Sequence, residues 1–546
     1  MCHNARNLAW GRAMRTTMVT TLVLALGLVA CGGSGGDTAD AGIDVRADVL
    51  DVAADVSPDP GSDAVEAAPD VVPGTCGSHL YAFQTLVPGP GQAGYDADLD
   101  ALATRYERVF HTFNAAATSL NTDVSVPLTD PADHAAIEHF ARETDGWDFA
   151  ATAGRQPLDL ITSHGAVAGL YAGVGIGADA YRYGTLRDQG ADCAEVDRAR
   201  THLLASLDAL HLAQDITGVP GVIARGFARK DLPGDGQATT TPLFDPATGA
   251  ALPLDKNNGT AREDNSGRWP GYIWTDSCSR DMYIGWAMAF GASWEVIRDD
   301  PTIADTYKTR LQADALALGK ALMVVHDYPQ PNGDVWSFDL EIPDADGRTT
   351  YHGYLNEQNL DRTYVKGFKN GFYAMMTLGI VSALAYTAED AELTAYLEQS
   401  LIAERKLPQI ARDRMMEIDL GTKSNYSNYN MVFMGAWLAA RYLHDPDARA
   451  AVAESTDEQL YARPGKTRQP KDFAYSLYDF TYAAALSDAS AFQAGAPAAD
   501  QLEAIARAVT TLKHFPVPPY WDVYTEVCPG MSCDACGDTE SECAAC

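Results

Sequence analysis

Two carboxylates five residues apart, Asp276 and Asp281, stand in the segment WPGYIWTDSCSRD, with Trp269 and Trp274 before them and Arg280 between. Paired carboxylates in a cleft can act as general acid and base in glycoside hydrolysis, and aromatic rings stack on the C–H faces of sugars. On a helix this spacing sets the two acids about 140° apart. Asp276 with Ser279 also has the pattern of a helix N-cap with its third-position neighbour, so capping competes with catalysis there. Arg280 lies one turn after Asp276 and can neutralise it, and a salt bridge is equally open for Asp281. Trp269 and Trp274 fall in a Pro/Gly-containing loop, where cleft lining and core packing are both open.

Other residues could complete such a site. In TGVPGVIARGFARK, Arg225 and Arg229 are four apart and could clamp a carboxylate or phosphate, or simply form ion pairs. His164, in an apolar helical stretch, reads as a core histidine or a proton carrier. His352 and Tyr354, in the loop TTYHGYLNEQN, could supply a base or acid. Asn425, Tyr426, Asn428 and Tyr429 fall in the first turn of a helix beginning in KSNYSNYN, where amides can hydrogen-bond a sugar or a uronate. A His, Tyr, Asn and Arg set is what a polysaccharide lyase needs, as paired acids are what a hydrolase needs, and the residues do not choose between them. Asp339, Glu341, Asp344 and Asp346 could hold Ca²⁺, but their spacing is not that of an EF-hand, and a turn with solvated acids is the stronger reading. No other metal or cofactor is expected. No Walker loop, Rossmann fingerprint, HExxH or GxSxG occurs.

Helices must position these residues. The apolar periodicity predicts them near Ala93–Ser119, Pro131–Glu143, Pro157–Gly184, Cys193–Thr217, Asp276–Asp299, Thr302–Val325, Val365–Thr387, Asp390–Glu404, Asn425–His444, Pro446–Leu460, Phe473–Leu486 and Ala498–His514. No βα series is visible, so a parallel sheet is not expected. Helices rich in Gly, Ala and aromatics, such as SRDMYIGWAMAFGASWEVI, are followed by charged amphipathic ones, such as PTIADTYKTRLQADALALGKAL. The first kind belongs inside and the second outside. Gly165, Gly169, Gly173 and Gly177, spaced by four, mark a face where another backbone comes close. Alternating inner and outer helices resemble the (α/α)6 toroids of carbohydrate-active proteins. That resemblance implies an all-α toroid with its cleft at the starts of the inner helices and a glycan as substrate or ligand. The Gly/Pro-rich stretch Asp231–Ser266 reads as a lid near that cleft.

The ends of the chain carry different signals. Arg6, Arg12 and Arg15 precede the apolar run MVTTLVLALGLVA, too short for a bilayer and fitting a signal h-region. The run ends in LVAC, which resembles the lipobox of bacterial lipoprotein precursors. The resemblance implies cleavage before Cys31, acylation of Cys31 and, with Gly32 next, the outer membrane. Residues 32–75 contain no aromatic and one basic residue, and read as a disordered acidic tether. The expected organisation is a signal over 1–30, a tether over 31–75, a helical body over 76–527 and a Cys-rich tail over 528–546.

The formal charge is −34; the signal contributes +3, the tether −9 and the tail −4, which leaves −24 for the body. Such a body disfavours nucleic acid as a partner. Beyond Cys2 and Cys31 eight cysteines remain, five of them in the tail, and export favours disulfides over zinc. The sequence thus points to a membrane-anchored toroid that binds and cleaves a glycan, or one that binds glycan or protein without catalysis.

Overall fold

The computed structural model describes residues 90–91, 95–127, 130–142, 147–252, 259–360, 363–415, 426–466, 469–472, 476–486 and 499–514. All belong to the unit Asp70–Pro518. The signal segment, Cys31, the tether, Asn425 and the Cys-rich tail lie outside the described residues.

The described chain is rich in helices. Helix α1 (Ala97–Val109) opens where the Asp96 carboxylate accepts from the Leu99 amide, and runs into a π-turn over Phe110–Asn114. Then come α2 (Pro131–Arg142), α3 (Gly169–Gln189) and α4 (Cys193–Asp215), followed by α5 (Arg280–Ile297), α6 (Asp305–Leu322) and α7 (Gly371–Ala388). The short α8 (Ala391–Ala395) continues as a π-helix over Tyr396–Glu404 and leads to α9 (Leu407–Asp413). The last four are α10 (Tyr426–Tyr442), α11 (Pro446–Ser455), α12 (Ser476–Leu486) and α13 (Ala499–His514).

The apolar helices pack on one another in chain order, α3 on α5, α5 on α7, α7 on α10 and α10 on α12. Their polar followers α4, α6, α9, α11 and α13 each pack on the apolar helix before them, and α13 also touches α1. Helix α7 alone among the described residues is long and apolar enough to cross a membrane, yet 89% of it is buried among its neighbours. An all-apolar helix inside a globule needs no polar face. At the α3–α5 crossing Gly169, Gly173 and Gly177 do what the spacing predicts, whereas Gly165 lies before the helix and packs on Asp123. A Cβ on Gly173 would lie 1.9 Å from the Gly285 carbonyl oxygen, and one on Gly169 2.5 Å from the Trp286 Nε1.

Five small antiparallel sheets correct the all-α expectation. They pair β1 (Val124–Ser125) with β2 (Ser163–His164), and order β3 (Gly226–Arg229), β5 (Tyr272–Thr275) and β4 (Ala261–Glu263) as a three-stranded sheet. The remaining pairs are β6 (His326–Pro329) with β7 (Val335–Phe338), β8 (Glu341–Pro343) with β9 (Thr349–Tyr354), and β10 (Asn359–Leu360) with β11 (Thr363–Tyr364). The helix predicted from Pro157 begins only at Gly169, because a 3₁₀ turn over Pro157–Leu160 and strand β2 occupy its first part. Within Asp231–Ser266 the described residues include a 3₁₀ turn over Asp235–Gln237 and strand β4, which pairs with β5.

Candidate functional site

The two carboxylates of the 269–281 segment have different fates. Asp276 is 1% exposed and pairs with Arg262, whose Nε and Nη2 lie 3.0 and 2.5 Å from Oδ2; its Oδ1 accepts from the Thr260 amide at 2.7 Å. Arg262 in turn donates to the carbonyls of Thr241 and Pro242. Every strong donor around Asp276 belongs to the fold, so it neither caps α5 nor faces a substrate. The N-cap is Ser279, and Arg262 rather than Arg280 neutralises Asp276. Asp281, in the first turn of α5, is half-buried and accepts from the Ser279 hydroxyl, which itself accepts from Arg225 Nη1. Arg225 is held by its backbone, its amide donating to Thr275 and its carbonyl accepting from Gly169 at the start of α3. The strand before α3, the sheet and α5 thus combine to build one relay, Arg225 to Ser279 to Asp281.

Opposite this relay stands Tyr171, in the first turn of α3 and 61% exposed. Its position follows from the glycine stripe: with Gly169 and Gly173 turned to α5, a residue between them points elsewhere. Partial burial of its hydroxyl raises its pKa, and the negative charges of Asp123 and Asp281 raise it further. A phenol so placed keeps its proton at neutral pH and can donate it. Asp123 is exposed and lies just before β1, its carbonyl accepting from the Gly165 amide. The sequence reading named neither Tyr171 nor Asp123; the one available signal was an aromatic hydroxyl breaking a Gly/Ala-rich helix start.

His164 sits nearby in β2 rather than in a helix. It is 5% exposed, and neither ring nitrogen has a hydrogen-bond partner. Burial and the charge of Arg229 push its pKa down, so the ring is neutral at pH 7. Arg229 does not join Arg225 in a clamp, because its guanidinium pairs with Asp231, with Nε and Nη2 at 3.0 and 2.7 Å, and donates to the Ala117 carbonyl.

The remaining predicted residues go elsewhere. Arg280 lies over the Tyr373 ring, 5.0 Å from its centroid, and reaches the His352 carbonyl at 3.4 Å. His352 and Tyr354 lie on strand β9, not in a loop. Tyr354 is raised by burial and by Glu341, a buried carboxylate that accepts from Tyr328, Tyr364 and Thr349. Trp274 is a strand residue with no exposed surface, its Nε1 donating to the Glu263 carbonyl. Trp269 donates to Asp215 at 2.7 Å, on the side of the sheet facing α4. Tyr426 opens α10, Asn428 is half-buried in its first turn, and Tyr429 is 2% exposed with its hydroxyl 2.5 Å from Arg463. Tyr429 is therefore a core residue.

The four acids read as a possible Ca²⁺ set do not converge. Asp339 binds Arg405 and Tyr396, Asp344 accepts from the Ser277 amide, and Asp346 pairs with Arg348. Among the described residues no group of His, Cys, Asp and Glu is arranged to hold a metal ion. Cys193 is disulfide-bonded, whereas Cys278 is a free, buried thiol whose pKa burial pushes up, which corrects the expectation of pairing throughout.

A second polar constellation was not foreseen. The rings of His111 and His202 stack at 3.6 Å; His111 bonds Asp179 at 2.9 Å and His202 bonds Glu107 at 3.1 Å. These residues are scattered over four elements, and only the fold brings them together. No family model, curated protein or solved structure matches the chain.

Proposed function

We propose that the chain is an envelope-anchored lipoprotein, acylated on Cys31, whose helical body is an (α/α)6-type toroid that binds and hydrolyses a glycan at the starts of its apolar helices. The observation that carries this reading is the packing of the starts of α3 and α5, with the Leu170 amide on the Met282 sulfur, which brings the exposed Tyr171 to the same end as the half-buried Asp281 with its Ser279 and Arg225 relay. The toroid is supported by the succession of contacts through α3, α5, α7, α10 and α12, with polar helices behind them. The far ends of three of these helices are drawn together by buried contacts. Arg441 pairs with Glu295, Tyr181 stands 3.4 Å from Tyr442, and Gly291 has no room for a Cβ beside Tyr442. In this reading the cleft lies at the opposite ends of these helices, where Tyr171 and Asp281 stand.

In this reading the Tyr171 ring receives a sugar face. One of the two carboxylates Asp123 and Asp281 takes a proton from the attacking water while the other, protonated, gives its proton to the glycosidic oxygen as that bond breaks. Ser279 and Arg225 fix the rotamer of Asp281. Hydrolysis is favoured over uronate elimination by charge. Arg229 is neutralised by Asp231, and the carboxylates Asp123 and Asp281 outnumber the Arg225 guanidinium, which Ser279 holds, so the balance of charge disfavours a uronate.

The test is release of reducing ends from a panel of neutral polysaccharides. Wild type should cleave at least one, and Asp123→Asn should lower turnover by about 10²-fold or more. Binding of a glycan without any cleavage would establish instead the non-catalytic surface lipoprotein.

A further inference from the structure

A cleft of ≈580 Å³ lies between α1 with its π-turn and the second half of α3. It is centred about 10 Å along α3 from Tyr171, taking 1.5 Å per residue to Ala178. Four aromatic residues, Tyr95, Tyr106, Phe110 and Tyr181, stand in its walls. Gly175 lets the Phe110 ring close in, since a Cβ there would lie 3.1 Å from its Cζ. A cleft of this size that combines aromatic and apolar walls with charged groups is a common form of small-molecule site.

The polar groups have one prevailing sign. Asp96, Asp100, Glu107 and Asp179 line the cleft, with Arg182 as the sole Lys or Arg among its lining residues. Arg182 is shared between Asp100 and Glu107, each at 3.2 Å, and Lys513 pairs with Asp96 from α13. Asp179 has only the His111 imidazole and the Ser206 hydroxyl. Burial alone would raise Glu107, but hydrogen bonds from His202 and Arg182 outweigh it and lower its pKa. Asp96 is lowered chiefly by Lys513. Four carboxylates therefore face two Lys or Arg cations, Arg182 and Lys513, with the His111 and His202 rings as the other partners of Asp179 and Glu107.

We propose that this cleft binds an organic cation, an ammonium group on a small apolar body. Aromatic faces and carboxylates in excess of Lys and Arg both attract such a group, and a neutral or anionic ligand gains from only one of them or from neither. The fold already uses this attraction on the same wall, where the Arg441 guanidinium lies 5.4 Å from the centroid of the Tyr181 ring. The cleft is a separate site from the glycan-cleaving one, and its occupancy does not depend on that activity.

Titration of the full-length chain with choline, and with its neutral isostere 3,3-dimethyl-1-butanol, tests the proposal by calorimetry or ligand-observed NMR. Choline should bind saturably and the isostere about tenfold more weakly, as loss of a cation–π contact implies. Ala178, exposed within the cleft, gives a blocking variant: Ala178→Trp should abolish choline binding without lowering the melting temperature. Phe110→Leu, which keeps apolar volume but removes the ring, should weaken it several-fold. Equal binding of the isostere, no saturable binding of choline, or binding that survives Ala178→Trp in a folded chain would each overturn the proposal.

Discussion

Asp276 and Asp281 are five residues apart in sequence, yet one is sealed behind Arg262 at 1% exposure and the other is half-buried in the first turn of α5, at the end where Tyr171 stands. The first satisfies its charge inside the three-stranded sheet, with a guanidinium, a backbone amide and a hydroxyl. The second is held only by Ser279, which leaves lone pairs for a ligand. A carboxylate whose surroundings already satisfy it serves stability, and one that is positioned but not saturated is available for chemistry. Residue type alone could not separate the two.

The comparison is broken most forcefully at Arg262. Arg262→Ala leaves Asp276 charged and unpaired in the interior and should cost about 3–5 kcal/mol, read as a loss of unfolding free energy in urea. Little change would mean that Asp276 is as solvated as Asp281. Next comes the crossing that sets α3 against α5. Gly173→Ala places a methyl against the Gly285 carbonyl, so the helices must separate, at a cost of roughly 1–3 kcal/mol. Because the shift moves Tyr171 relative to Asp281, turnover should fall along with stability.

Ser279→Ala sharpens the comparison from the other side. Ser279 makes no side-chain cap to the helix, so stability should change by less than ~0.5 kcal/mol while Asp281 loses its fixed rotamer and turnover falls. A large stability loss with unchanged turnover would make the relay structural.

The smallest effect is on pH dependence. The folded-state pKa of His164 lies below its ordinary value near 6.5, so the unfolded chain binds the proton more readily. Its stabilising contribution is complete above about pH 6.5 and is lost as pH falls toward the folded pKa. Below pH 6 the His164→Gln variant should therefore lose less stability than wild type, as followed by thermal unfolding between pH 5 and 8. An identical pH slope in both proteins would contradict this.

Much of the helical framework was legible. Cys193–Asp215 read clearly from its helical period, and Ala499–His514 begins within a residue of its predicted start. The strands were not legible, because runs of two to six residues hold too little period-2 signal. Helix α9, at seven residues, was missed for the same reason of length. The candidate site was read in part. Asp281 and Arg225 were marked by residue type, but their link through Ser279 depends on the start of β3 and the start of α5 meeting. Trp274 misled because an aromatic next to Pro and Gly looks like cleft lining, whereas the cross-strand neighbours Phe227 and Arg262 bury it.

The most direct measurement sets Asp276→Asn beside Asp281→Asn and records melting temperature and glycan turnover for both. The account predicts crossed outcomes: Asp276→Asn melts earlier but its folded fraction turns over normally, whereas Asp281→Asn melts like wild type and loses turnover. If instead Asp281→Asn is fully active, or Asp276→Asn is inactive at unchanged melting temperature, the assignment of the two carboxylates is contradicted.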